Sequence, residues 1–397
     1  MPDKFAEFAS DSHPVIRWLM ADGRRILGSN DFLEAFARCL RRASIDVTRI
    51  TTGVPILHPQ IFSFSGLWQL GKGTSERLYR ADGSQSGILE NSPIKIAYDG
   101  KPVRCQLTAT PSDGEFPILK DLRREGITDY LVLPVPFSDG TNKAVSFATT
   151  RTNGFSDSEI ASFVAMIPAF SFNLEIQALR RTARTLLDTY VGRQSGGRVL
   201  EGQIKRGMGE TIRAAIWLCD LRGFTSLSES LPRDELIEML NQYFGPMCDA
   251  VDANDGEVLK FIGDAMLAIF PVIENPAVAC GHALSAALTA QQVLDGQNQL
   301  RLAAGVPPIK YGIALHIGDV LYGNIGSETR LDFTVIGPAV NLTARIESLC
   351  RDLGRSVLLS ADFVRTSGIA AGPLGEFALK GVGEKQRVFA PQPGKQL

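Results

Sequence analysis

A two-domain α+β architecture joined by a helical connector is what the sequence predicts, on three observations. The 397 residues exceed what one hydrophobic core usually organises. The second half opens on an apolar run without charge, Ile216-Trp-Leu-Cys219, which reads as a strand buried on both faces. Between the halves, apolar residues recur in steps of three and four, at Ile160, Phe163, Ile167, Phe170 and Leu174, then at Leu179, Ala183, Leu186 and Tyr190. That is the spacing of a helix that either pairs with another helix, as in a dimeric coiled coil, or packs on its own domain. The expected division is a first domain over residues 1–155, a connector over 156–210 and a second domain over 211–397.

The balance of 41 basic against 43 acidic residues offers no electrostatic case for a nucleic-acid or charged-membrane partner. Cys39, Cys105, Cys219, Cys248, Cys280 and Cys350 are scattered without metal-like pairs and read as buried free thiols of a reducing cytoplasm. The most hydrophobic window, Ile160 to Leu174, is interrupted by Ser162, Pro168, Ser171 and Asn173 and is too short to span a bilayer. Asp3, Glu7 and Asp11 argue against a signal peptide. The expectation is a cytoplasmic protein with no membrane and no nucleic-acid partner.

In the first domain, His13–Leu27 and Asn30–Arg42 carry helical periodicity, with Asn30 as the expected N-cap. Strand-type stretches follow at Val47–Ile56, Ile61–Leu70 and Arg77–Tyr79, then a polar loop and the segment Ile94–Tyr98. Ile118–Glu125 reads as a helix ended by Gly126, and Asp129–Phe137 with Ala144–Thr150 as a hairpin across Ser138-Asp-Gly-Thr. Ser156-Asp-Ser-Glu159 has capping-box spacing and opens the long helix, which Pro168 should kink or break. This order of elements resembles a GAF-type sensor, which implies a small-molecule ligand for this domain. The residues themselves leave that open: His58 reads as a structural or surface histidine. Trp68, Tyr79, Tyr98 and Phe116 suit a core as well as a ligand cavity.

After the long helix, Val191-Gly-Arg-Gln-Ser-Gly-Gly197 reads as a flexible break and Arg198–Glu210 as a polar connector. The second domain proper starts near Ala214. Pro232 with Asp234-Glu235 marks a helix start, whose apolar face is Leu236, Leu240, Tyr243, Met247 and Val251. Glu257–Phe270 reads as a hairpin about Gly263-Asp264, followed by a helix from Pro276 to about Leu294. Next come a strand over Lys310–Ile317 with an extension to Ile325, a strand over Leu331–Ile336 and a helix over Pro338–Leu353. Short strands near Val357, Phe377 and Arg387–Phe389 close the domain.

The chemistry sits where the first strand of this domain breaks, at Asp220-Leu-Arg-Gly-Phe-Thr225. Gly223 permits a tight turn, and a helix starting there would leave the amides of Phe224, Thr225 and Ser226 free to cradle an anion beside the Asp220 carboxylate. The hairpin tip exposes a second carboxylate, Asp264. Singly, each aspartate reads as well as an N-cap or turn residue. Two on adjacent strand ends can hold two Mg²⁺ ions together with substrate phosphates.

With Gly312-Ile-Ala-Leu-His-Ile-Gly-Asp-Val-Leu-Tyr-Gly-Asn-Ile-Gly326 and Asp332-Phe-Thr-Val-Ile-Gly-Pro-Ala-Val-Asn-Leu-Thr-Ala-Arg345, these pieces form four blocks. Their order and spacing resemble the catalytic domain of class III adenylate and guanylate cyclases. The resemblance implies a ferredoxin-like palm, β-α-α-β-β-α-β, behind a GAF-like α/β sensor and a helical connector. It implies cyclisation of ATP to 3′,5′-cyclic AMP and pyrophosphate, with two Mg²⁺ or Mn²⁺ ions held by Asp220, Asp264 and the Leu221 carbonyl. Lys260 and Thr334 fall at the base-reading positions, where lysine donates to adenine N1 and guanylate cyclases carry glutamate. Asn341 would orient the ribose and Arg345 stabilise charge at the transferring phosphate; being four apart, they share a helix face. Phe224 and Thr225 would contact the phosphates, and Lys380, in Leu-Lys-Gly-Val-Gly, matches a triphosphate lysine more loosely. Phe333 stands where tyrosine is common and Pro338 where aspartate is, and neither removes a catalytic group. The full set in one chain implies a homodimer with two shared sites. A guanylate or relaxed-purine cyclase and a non-catalytic nucleotide-binding regulator are the alternatives; a diguanylate cyclase is disfavoured, because no Gly-Gly-Asp/Glu-Glu-Phe signature occurs.

Overall fold

The computed structural model describes residues 13–55, 61–80, 90–108, 115–202, 205, 207 and 209–392. It forms two compact units, Met1–Leu186 and Leu187–Leu397. His58 lies outside the described residues, as do Ile56 and the side chain of Tyr79.

The first unit contains α1 (Pro14–Met20), α2 (Ser29–Arg42), β1 (Arg49–Pro55), β2 (Ile61–Gln69), β3 (Gly73–Arg80), α3 (Pro93–Tyr98), β4 (Val103–Gln106), α4 (Pro117–Arg124), β5 (Asp129–Pro136), β6 (Asn142–Thr149) and most of α5 (Asp157–Tyr190), whose last turn, from Leu187, falls in the second unit. Its sheet has the order β3-β2-β1-β6-β5-β4. Alternation along β5 sends Leu131, Leu133 and Val135 to a core with α2 and α5, and Tyr130 and Val132 to one with α3 and α4. Trp68 is in the first core, and Tyr98 and Phe116 pack against the second. One local expectation is corrected: Gly28, not Asn30, caps α2. The segment Ile94–Tyr98 lies in a short helix entered through Pro93, and β4, which the sequence does not announce, pairs with β5.

The capping box of α5 forms as expected: the Ser156 amide donates to Glu159 Oε2 at 2.8 Å and the Glu159 amide to Ser156 Oγ at 3.3 Å. Pro168 does not break the helix, which runs 34 residues. The helix is therefore long and apolar enough to cross a membrane by length and composition, which corrects the expectation of a window too short to do so. Its apolar residues Phe163, Met166, Ile167, Phe170 and Leu174 are nevertheless core residues of the first unit, whereas Leu179 and Tyr190 are exposed.

The second unit contains α6 (Arg193–Leu200), β7 (Gly209–Leu221), α7 (Phe224–Ser230), α8 (Arg233–Ala253), β8 (Glu257–Ile262), β9 (Ala265–Pro271), α9 (Pro276–Ala303), β10 (Tyr311–Gly326), β11 (Leu331–Ile336), α10 (Pro338–Asp352), β12 (Val357–Ser360), α11 (Ala361–Ser367), β13 (Ala371–Phe377) and β14 (Gln386–Pro391). From β7 to β10 the order is β-α-α-β-β-α-β, with β10-β7-β9-β8 adjacent in the sheet, the ferredoxin-like palm. One sheet face, through Ala215, Trp217 and Cys219, packs on α8 and α9; the other, through Ala214, Ile216 and Leu218, packs with Phe333 and Val335 of β11 and Ala339 of α10. Residues 193–197, expected as part of a flexible break, are helical. The reason is tertiary: Gly196 lies close against Leu187, and Val191 and Val199 pack on the second sheet face.

All six cysteines are free.

Candidate active site

Strand alternation places Asp220 on the face that α10 covers. It pairs with Gly312 of β10. A side chain at 312 would collide with the Glu347 carboxylate of α10 and lie 2.8 Å from Cys350 Cβ. Glycine there lets the helix close over the strand end.

Asp264 arrives from the other side. The β8–β9 hairpin closes at Ile262 opposite Ala265, leaving Gly263 and Asp264 as its two-residue turn, with Gly263 at φ +65°. Met266 pairs with Cys219, so the hairpin tip ends level with the last residues of β7. Burial, and then the facing Asp264 carboxylate, push Asp220 up to about 6. Glu347 is pushed up to about 7, first by burial and then by Asp220, with Arg222 opposing. Asp220 Oδ1 accepts the Leu221 amide at 3.0 Å, and Leu221 closes β7 opposite Tyr311.

Two facing carboxylates at the ends of adjacent strands suit a hard divalent ion, so the residues present fit Mg²⁺ or Mn²⁺. Among the described residues no three His, Cys, Asp or Glu side chains form a ready-made metal cage. Ions bound here would complete their shells with backbone, water and substrate oxygens.

Gly223, at φ 74°, caps α7. The first intrahelical amide bond is Leu227 N to Gly223 O at 3.1 Å, so the amides of Phe224, Thr225 and Ser226 precede it, as expected. Thr225 is exposed and the Phe224 ring packs on the main core.

A second group forms further up the hairpin. A register shift between Val258 and Lys260 leaves Leu259 as a bulge and re-aims the lysine. Lys260 Nζ is ion-paired with Asp332 of β11. Thr334, two residues on, is 3% exposed, and its hydroxyl has no hydrogen-bond partner among the described residues.

The α10 pair is displayed outward. Thr343, Ile346 and Cys350 are fully buried against the sheet, and Asn341 and Arg345 project exposed from the opposite side of the helix. Lys380 is exposed in the turn after β13, beside Leu379, which is buried with Ile346 and Cys350. Within one chain the fold thus brings Asp220 and Asp264 together and Lys260 to the strand that carries Thr334, and leaves Asn341 and Arg345 exposed on α10. Sequence reasoning missed Glu347 and Arg222, which share the Asp220 site, and Asp332, which holds Lys260.

Residues 208–390 match the family described as the adenylate and guanylate cyclase catalytic domain. A protein of Anabaena cylindrica named adenylate cyclase is 40% identical over 166 residues, covering 41% of this chain and 32% of its own length. Adenylate cyclase 1 of Rhizobium meliloti is 32% identical over 145 residues, covering 36% of this chain and 22% of its own. The chain therefore spans about a third or less of these curated relatives. The crystal structure of the adenylyl cyclase CyaB from P. aeruginosa is 25% identical, covering 48% of this chain and 98% of its own at a TM-score of 0.44. Four sequence blocks, the palm order of elements and the family match fall on the same stretch, and residues 208–390 of this chain belong to the class III adenylate and guanylate cyclase catalytic domains.

Proposed function

We propose that the protein is an adenylate cyclase, converting ATP to 3′,5′-cyclic AMP and pyrophosphate at sites shared by two copies of the chain. The observation that carries this reading is the meeting of Asp220 and Asp264, where burial first and the facing carboxylate second push Asp220 up to about 6: two carboxylates held against their own repulsion are a site for divalent cations. In the reaction the ribose 3′-oxygen bonds to the α-phosphorus, its proton is released and the bond to pyrophosphate breaks. Two Mg²⁺ or Mn²⁺ ions held by Asp220, Asp264 and the Leu221 carbonyl would lower the pKa of the attacking hydroxyl and neutralise charge on the leaving oxygens. The chain's own contribution is position and charge. Amides at Phe224 and Thr225 receive phosphate oxygens at the start of α7, and Lys380 adds a cation to the triphosphate.

Adenine is read by Lys260, a cation donating to N1, and by the Thr334 hydroxyl, which is buried and has no hydrogen-bond partner among the described residues. A fixed donor opposes the guanine N1 proton, and unpaired polar groups discriminate strongly. Asn341 orients the ribose and Arg345 stabilises charge on the transferring phosphate. Both are exposed on α10, open to a second copy, and are read as serving that copy's site. Exposed apolar side chains near the base-reading strands, Phe261 and Ile336, and the exposed stripe at Leu179 and Tyr190 of α5 supply surface for that dimer. The first unit is read as a GAF-like sensor for a small molecule, on its six-stranded antiparallel sheet with helices on both faces. The protein is read as cytoplasmic, since Phe163, Met166, Ile167, Phe170 and Leu174 of its long helix are used in a core.

The test is to incubate purified protein with ATP or GTP and Mg²⁺ or Mn²⁺, alongside Asp220→Asn. Cyclic AMP formed from ATP and abolished in the variant supports the reading. Cyclic GMP as the main product would make it a guanylate cyclase, and no product from either purine would leave a nucleotide-binding regulator.

A further inference from the structure

A buried carboxylate outside the metal pair ties three segments of the second unit together. Glu257, the first residue of β8, is 3% exposed. Its Oε1 accepts the Ser195 amide at 2.7 Å and the Ser195 hydroxyl at 2.6 Å, and its Oε2 accepts the Tyr322 hydroxyl at 2.7 Å. Ser195 is fully buried and Tyr322 is 1% exposed. The Arg198 guanidinium, one turn along α6 from Ser195, lies 4.7 Å from the Tyr322 ring centroid and pairs with Glu210 at 2.6 Å. Gly192 brings the backbone entering α6 so near β8 that an added Cβ would sit 3.1 Å from the Val258 carbonyl.

A buried carboxylate with three donors is costly to disturb and holds its partners in one arrangement. The strands it joins carry the base-reading residues. Three residues beyond Glu257 on β8 is Lys260, with the Leu259 bulge between them. Tyr322 pairs with Val335, the neighbour of Thr334, and its ring meets Phe333 edge-on at 4.8 Å. Leu259, Tyr322, Phe333 and Val335 form one apolar cluster, onto which Val199 of α6 packs. The spacing of the Lys260 strand and the Thr334 hairpin is therefore set from behind by α6.

We propose that Ser195, Glu257 and Tyr322 are positioning residues for purine selection: docked through Glu257, α6 fixes the distance between Lys260 and Thr334 and so sharpens the choice of adenine over guanine. The proposal rests on the adenylate cyclase reading. Its test is kcat/KM for ATP and for GTP, measured on the full chain for wild type, Tyr322→Phe, Ser195→Ala and Glu257→Gln, with a thermal melt of each. The ATP-over-GTP ratio is expected to fall about fivefold or more in all three variants, as each loses a hydrogen bond that discrimination depends on. A purely structural role would lower the melting temperature and leave this ratio within about twofold of wild type, which overturns the proposal while the cyclase reading stands. A wild type that cyclises neither purine overturns both. Should Glu257→Gln fail to fold, Tyr322→Phe, which deletes one oxygen and keeps the ring, decides alone.

Discussion

Asp220→Asn should make the metal-free protein more stable while abolishing its activity. Asp220 is held at about 6 in the fold, against an ordinary value of 3.8, by burial and by Asp264. A carboxyl raised in the folded state stabilises when protonated, and that contribution is lost as pH rises from below 4 through about 6. Each pH unit between folded and unfolded values is worth about 1.4 kcal/mol, so the full difference approaches about 3 kcal/mol above pH 6. Solvent screening of a half-buried group brings this to about 1–2 kcal/mol. Asparagine keeps the shape and the acceptor for the Leu221 amide and removes the charge. In EDTA at pH 7.5, calorimetry should show the unfolding of the second unit raised by roughly 2–8 °C in the variant. At pH 4 the two proteins should melt together. Millimolar Mg²⁺ or Mn²⁺ should raise the wild type and leave the variant unmoved, since an ion stabilises only the state that binds it. Should Asp220→Asn melt at or below wild type in EDTA at neutral pH, the two carboxylates are not held against repulsion and their meeting no longer supports a cation site, whatever the activity.

The same geometry sets the outcome of four other perturbations. Lys260→Glu replaces the proposed donor to adenine N1 with an acceptor and sets a second carboxylate against that of Asp332; kcat/KM for ATP should fall by about a hundredfold or more with GTP gaining relative to it, and an unchanged ratio would remove Lys260 from base reading. His316 is 4% exposed and pushed down to about 4 by burial, with its Nδ1 2.8 Å from Ser360 Oγ. It is neutral in the fold, so stability should drop as pH falls from 6.5 toward 4, by about 3 kcal/mol. Because Asp220 contributes with the opposite sign in that window, the slope is best compared between Asp220→Asn and Asp220→Asn/His316→Gln, the second being flatter. Gly312→Ala drives a methyl into Glu347 and Cys350 and should cost about 1–3 kcal/mol in chemical denaturation. On the proposed dimer with shared sites, mixing inactive Asp220→Asn with inactive Arg345→Ala should restore about a quarter of wild-type activity, because half of randomly paired dimers would carry one intact site; no recovery would mean that each chain works alone.

Much of the second unit was legible because its signals are local. The charge-free run into Asp220 could only be a buried strand, Gly263-Asp264 is a hairpin turn by composition, and Pro232 with Asp234 and Glu235 announces a helix. These features depend on residues within a few positions of each other, and each forms in the fold. The α10 pair was legible for the same reason, since a four-residue spacing on a helix fixes a shared face.

What escaped depends on register between segments far apart in the chain. Glu347 is an ordinary helix glutamate until the pairing of Gly312 with Asp220 removes every side chain that would keep it away. Asp332 reads as a strand-end carboxylate until β11 meets β8 at Lys260. Residues 193–197, rich in glycine and polar groups, lack any propensity that announces a helix; they form one because Ser195 satisfies Glu257 and Gly196 allows close contact with Leu187. For Glu347 and Ser195, a residue whose local context predicts solvent is recruited where a glycine stands at the point of contact. A glycine that no turn requires is therefore the sequence-level sign to look for: Gly312 sits within a strand and Gly196 within a helix, and both mark where another element comes close enough to bring a charge or a hydroxyl into the core.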